Sequence, residues 1–113
     1  MDVTPTLELL KDVTMLKEGD NEDFVPKGYY HILTEATEYY TGLTKEIVIN
    51  KNDIINFKYH ANRSRLNGCC GLDGCDGINL VCLNGHEVAT EKSDCWMPHA
   101  VIFENHLVLL KVD

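Results

Sequence analysis

Between Asn67 and Glu87 the chain reads NGCCGLDGCDGINLVCLNGHE, a stretch holding four of its five cysteines and five of its eight glycines. Thiols gathered this closely and followed by His86 allow four kinds of chemistry: a metal site, a disulfide staple, a reactive thiol centre, or small apolar side chains packed in a core. Cysteine and histidine are the ligands of tetrahedral zinc, usually offered in pairs from tight loops. A nucleophilic thiolate would instead need a neighbouring base or a depressed pKa, and Cys95 with His99 is the pair that could supply one. Free cysteine is also among the most buried residue types and packs as a small hydrophobe. An odd count of five leaves at least one cysteine outside any set of intrachain disulfides.

The spacing favours metal. Cys70 and Cys75 are separated by four residues, Cys82 follows after six more, and then comes either His86 or Cys95. The stretch VCLNGHE resembles the knuckle of a zinc ribbon, in which a glycine after the first ligand lets the backbone fold around the ion. It departs from that pattern in having no C-x2-C pair and only six residues between Cys75 and Cys82. The Asn84-Gly85 dipeptide predicts a two-residue hairpin turn. That register pairs Cys82 with Glu87 and Leu83 with His86, so Cys82 and His86 face opposite sides of the sheet. If TEKSD makes the next turn, Cys95 falls opposite Ala89 on the face of Cys82. The expected ligand set is therefore Cys70, Cys75, Cys82 and Cys95 on structural Zn2+, with His86 in reserve and Cys69 left out.

Two other groups could bind partners. KYHANRSR (58–65) places Lys58, Arg63 and Arg65 beside Tyr59 and His60, the raw material of a phosphate-binding patch. Three cations in a chain of net charge −8 make no broad positive field, so they are expected to stabilise the loop or meet nearby carboxylates. Asp20, Glu22, Asp23, Tyr30, Glu35, Glu38 and Tyr40 combine acids with strand tyrosines, suited to a protein interface. Walker, G-x-S-x-G and H-E-x-x-H patterns are absent from the sequence.

The elements that must position these residues read as α+β. Thr4-Pro5 suits a helix start, Leu7, Leu10, Val13 and Leu16 recur at helical spacing, and Gly19 suits a stop. A helix over 5–18 is expected. Residues 28–113 read as β-rich: strands are expected at 29–36, 38–42, 45–50, 78–83, 86–90, 95–103 and 106–112, with a second tight turn at Glu104-Asn105, while 53–60 fits a helix through Ile54, Phe57 and His60 or a strand through Ile55, Phe57 and Tyr59 and is taken as a strand. The expected fold is a single domain over 1–113, with one N-terminal helix packed on a mostly antiparallel β-meander and a zinc-stapled loop across the cysteine cluster at 69–95.

Charge and composition narrow the function classes. The chain has 113 residues, 44% of them hydrophobic, and no apolar run near the roughly 18 residues of a membrane span. Its first residues lack the basic region of a secretory signal, so a cytoplasmic setting with reduced thiols is the expectation. Residues 1–46 carry ten carboxylates against four lysines, and the remainder eight against six cations. Such a field repels nucleic acid and anionic membranes and favours basic partners. The sequence therefore reads as an acidic, zinc-stabilised protein-binding module, of which an immunity-type inhibitor of a basic nuclease toxin is a concrete version, rather than an enzyme. The alternatives are a zinc- or thiol-dependent enzyme and a nucleic-acid-binding zinc module.

Overall fold

In the computed structural model, residues 2–33 and 46–104 are described. They form one seven-stranded sheet: β1 (Glu8–Leu9), β2 (Tyr29–Ile32), β3 (Ile47–Ile49), β4 (Phe57–Tyr59), β5 (Leu80–Cys82), β6 (Glu87–Lys92) and β7 (Ala100–Phe103), in the order β1-β2-β3-β7-β6-β5-β4. The β1–β2 pair is parallel and every other pair antiparallel. The meander expected of the C-terminal half is present from β4 to β7, with β3 closing onto β7. Strands expected at 38–42 and 106–112, and the turn at Glu104-Asn105, fall wholly or partly outside the described residues.

The N-terminal helix over 5–18 is not formed, and the fold is almost all sheet rather than α+β. Its place is taken by β1 and a single 3-10 turn, Val13–Met15, capped by the Asp12 side chain, which accepts from Thr14 N. The reason is competition for backbone hydrogen bonds. Glu8 N donates to Gly28 O and Leu10 N to Tyr30 O, a ladder that a helix would have to give up. The leucines at helical spacing are still used, but separately. Leu7 packs on one core cluster, Leu10 is buried, Leu16 packs on the other cluster, and Val13 is 61% exposed. Tertiary pairing thus overrides a weak local propensity.

Alternation along β3 and β7 splits the core between the two sheet faces. Ile49, Val101 and Phe103 join Leu80, Cys82, Val88 and Ala89 on one side. Val48, Ala100 and Ile102 join Phe24, Val25 and Leu33 on the other. A bulge lies in the β5–β6 ladder, where Leu80 faces Ala89 and Val81 faces Glu87. Val88 is the extra residue, and the bulge lets it share a cluster with Ala89. Asn79, fully buried beside this bulge, pairs its side-chain amide with the backbone of Glu91 at 2.6 and 3.0 Å, which extends the ladder past the end of β5.

The hairpin register differs from the expected one. Gly85 N donates to Cys82 O, Cys82 N donates to His86 O, and Gly85 has φ +86° while Asn84 does not take the left-handed region. The turn is therefore a four-residue turn over Cys82–Gly85 with glycine in the left-handed position, which sets Cys82 opposite His86 rather than Glu87. Likewise β6 runs on to Lys92 and the connection spans Ser93–His99, so Phe103, not Cys95, lies opposite Ala89.

Candidate metal centre

Two loops carry the cysteine chemistry: the glycine-rich loop between β4 and β5, and the Ser93–His99 connection between β6 and β7. Ser93 joins them by its backbone and hydroxyl, donating from N to Leu72 O at 2.8 Å and accepting Leu72 N at Oγ at 3.2 Å. Gly71 sits against the Ser93 carbonyl so closely that a Cβ there would collide with it. Glycine is required at this position by that approach, although its φ is ordinary.

Asp94 is the centre of the arrangement. It is buried, 1% exposed, and its Oδ1 accepts from Cys70 N and Cys95 N at 2.9 and 2.8 Å. Its Oδ2 accepts from Cys69 N and Trp96 Nε1 at 2.9 and 3.0 Å. Four donors stabilise the charged form, the Cys70 and Cys69 amides foremost, and hold this carboxyl far below the usual carboxylate range. Asp94 thereby fixes the backbones of three cysteines at once.

The sulfurs follow. The Cys70 thiol donates to Cys95 Sγ at 2.9 Å, and Cys70, Asp94 and Cys95 bring one ligand atom each within 4.8 Å of one another. These three could hold a metal ion. Hydrogen bonding with Cys95, and then with Cys69, pushes the Cys70 thiol up to about 12. Two thiolates on tetrahedral zinc stand about 3.8 Å apart, given Zn–S bonds of about 2.3 Å. A disulfide closes to about 2.05 Å. The pair sits between these limits on exposed or half-exposed side chains, so a small opening accommodates an ion.

The structure brings Cys70 and Cys95 of the expected ligand set together and leaves Cys75 and Cys82 elsewhere. Cys75 is exposed, its thiol 3.7 Å from Asp73 O in its own tight turn, and desolvation together with the Asp73 charge raises its pKa. Cys82 is 8% exposed and belongs to a core cluster. The nearby backbone amides, that of His86 foremost and then those of Asn84 and Gly85, favour its thiolate and lower its pKa. Among the described residues, however, no third ligand atom stands with Cys82 and His86. The sequence reading missed Asp94. Its signal was an acid in a short inter-strand segment, a residue type that captures neighbouring backbone N–H groups.

His99 is not placed to serve Cys95 as a base. Its Nε2 is 3.0 Å from Asp94 O and its Nδ1 is 2.6 Å from Lys51 Nζ, so both ring nitrogens are engaged. Lys51 also reaches Asp23 at 3.9 Å. In the basic stretch, Arg65 Nη1 and His60 Nε2 both meet Glu87 Oε2, at 3.0 and 2.9 Å, and Arg65 also donates to Ile78 O. Lys58 and Arg63 remain exposed.

The acidic residues named as partner contacts divide. Asp20 and Glu22 lie in the turn before Phe24, and that turn is stitched to the Ser93–His99 loop: Asn21 N donates to Met97 O, His99 N to Glu22 O and Phe24 N to His99 O. Glu22 and Asp23 line a shallow cavity of about 300 Å³ with Met15, Lys17, Pro26, Lys27 and Asn50. Tyr30 is half-buried against a core cluster rather than presented outward. Glu35, Glu38 and Tyr40 lie outside the described residues. Among the described residues no helix is long and apolar enough to cross a membrane. Set against models of protein families, curated proteins and solved structures, the chain shows no match.

Proposed function

We propose that this chain is an acidic protein-binding module whose binding rim is held in shape by a metal at Cys70 and Cys95. The observation that carries the reading is the double role of the Ser93–His99 loop. On one side it supplies Asp94 and Cys95 to the thiol group, and on the other it is stitched to the acidic turn around Asp20, Glu22 and Asp23. Trp96, 50% exposed, stands on the same loop with its Nε1 held by Asp94. A rigid, half-exposed tryptophan near carboxylates is the kind of anchor that dominates interfaces, and the charge favours a basic partner. In its concrete form the partner is a basic nuclease that the module covers and inhibits.

Thermal unfolding with and without a chelator tests the reading. A metal that binds only the folded chain adds stability by mass action, so removing it lowers Tm by on the order of 10 °C. Binding to the basic partner weakens in parallel, because the Trp96 loop loses its staple. A Tm and a partner affinity both indifferent to chelator would contradict the proposal.

A further inference from the structure

Two close thiols can do more than hold a metal. The sulfurs of Cys70 and Cys95 are 2.9 Å apart, and among the described residues no hydrogen bond joins any other two sulfurs. A disulfide needs them at about 2.05 Å, on backbones already near enough to be bridged. The surrounding contacts serve that second condition. Asp94 Oδ1 accepts from both Cys70 N and Cys95 N, so a single atom anchors the two backbones. Two residues along from each cysteine, Ser93 and Leu72 hold the loops together through hydrogen bonds of 2.8 and 3.2 Å. Closing the remaining gap is left to rotation of the two side chains about their Cα–Cβ bonds. Access is provided as well: Cys70 is exposed and Cys95 half-exposed, whereas Cys82 is buried in a core cluster.

We propose that Cys70 and Cys95 are a reversible redox pair, closed to an intrachain disulfide by exchange with a low-molecular-weight disulfide. One of the two, as thiolate, attacks a sulfur of the reagent and expels its other half. The second cysteine then attacks the protein sulfur of that mixed disulfide and expels the remaining half. Both protein protons end on the two small thiols released, and two electrons pass from the cysteines to the reagent. The bridge ties the β4–β5 loop to the connection that carries Trp96, joining positions 25 residues apart. Formed from an exposed and a half-exposed side chain, it is open to a small thiol that runs the exchange backwards. The bridge stands apart from the metal reading, yet the two compete, because a sulfur committed to a disulfide offers an ion no thiolate.

The test exposes the full reduced chain, freed of metal by chelator, to oxidised glutathione and maps its cysteines by mass spectrometry. Cleavage before Asp73, Asp76 and Asp94 puts Cys75, Cys82 and Cys95 on separate peptides, with Cys69 and Cys70 together on a fourth. The proposal expects the chain to lose two hydrogens and to join the Cys69–Cys70 peptide to the Cys95 peptide. It expects the same bridge in Cys69→Ser, which assigns it to Cys70, and its reversal by dithiothreitol. Cys70→Ser and Cys95→Ser are expected to stop at a glutathione adduct on the cysteine that remains. Tm should rise on the order of 10 °C in the bridged wild type, through the restraint placed on the unfolded chain. Separate glutathione adducts on the wild type, a bridge between other cysteines, or a bridge lost in Cys69→Ser would overturn the proposal. Repeating the oxidation with zinc present keeps the two readings distinguishable. An ion on the same sulfurs delays the bridge, so zinc that fails to slow it would contradict the metal reading and leave the redox pair standing.

Discussion

At the scale of single residues, Asp94 decides more than any cysteine. Four N–H donors on one buried carboxylate make the charged form part of the fold, and their loss leaves those donors without an acceptor. Asp94→Ala is expected to lower Tm by roughly 10 °C in the metal-free protein, measurable by calorimetry. The pH dependence follows in sign. A carboxyl held below its unfolded value contributes stability that is fully present above that value, about 3.9, and is lost as pH falls toward the folded one. With chelator present, the wild type should lose stability from about pH 5 downward more steeply than Asp94→Asn. Equal slopes in the two proteins would show that the carboxylate is not the node described. Cys70 runs the other way. Its thiol is stabilised in the neutral form up to about 12, so without metal it should react with thiol reagents at pH 8 more slowly than an ordinary exposed cysteine.

At the scale of elements, the N-terminal segment shows what the sequence carried and what it concealed. The apolar spacing Leu7, Leu10, Val13, Leu16 is consistent with a helix, and nothing local argues against one. What defeats it is a β2 edge, 20 residues away in sequence, that offers Glu8 and Leu10 better-placed partners. Val13→Pro separates the two readings. Val13 is the first residue of the 3-10 turn, and Asp12 already has the extended backbone, φ −98° and ψ 95°, that precedes a proline. The sheet structure predicts a stability change below about 1 kcal/mol, whereas the interior of a helix would lose about 3. Strands were more legible. The aromatic and β-branched runs at 29–32, 47–49 and 57–59 form strands, as residues that suit a pleated, half-buried surface. The hairpin register was not legible, since Asn84-Gly85 fits both a two-residue turn and the four-residue turn adopted, and the difference moves Cys82 by one partner. Gly71→Ala belongs to this scale too. Its Cβ would collide with the Ser93 carbonyl and part the two loops, so cation affinity should fall even though no ligand changes.

At the scale of the whole molecule, the thiols at Cys70 and Cys95 come from positions 25 residues apart, on loops that only the folded sheet brings into contact. Spacing along the chain could select cysteine as the site's chemistry, but not which cysteines meet, because that depends on where β6 ends and how far the Ser93–His99 loop reaches. The net charge of −8 acts at the same scale. If the proposed basic nuclease is the partner, association should slow as salt is raised, while dissociation depends on contacts such as Trp96; stopped-flow measurements across ionic strength resolve the two. The account rests first on whether an ion sits between the two loops. Elemental analysis of protein purified with neither added metal nor chelator, paired with a free-thiol count, tests that most directly. The proposed metal-held module predicts one bound metal per chain, with Cys70 and Cys95 protected and Cys75 freely reactive. No bound metal and reactive thiols at Cys70 and Cys95 would contradict it.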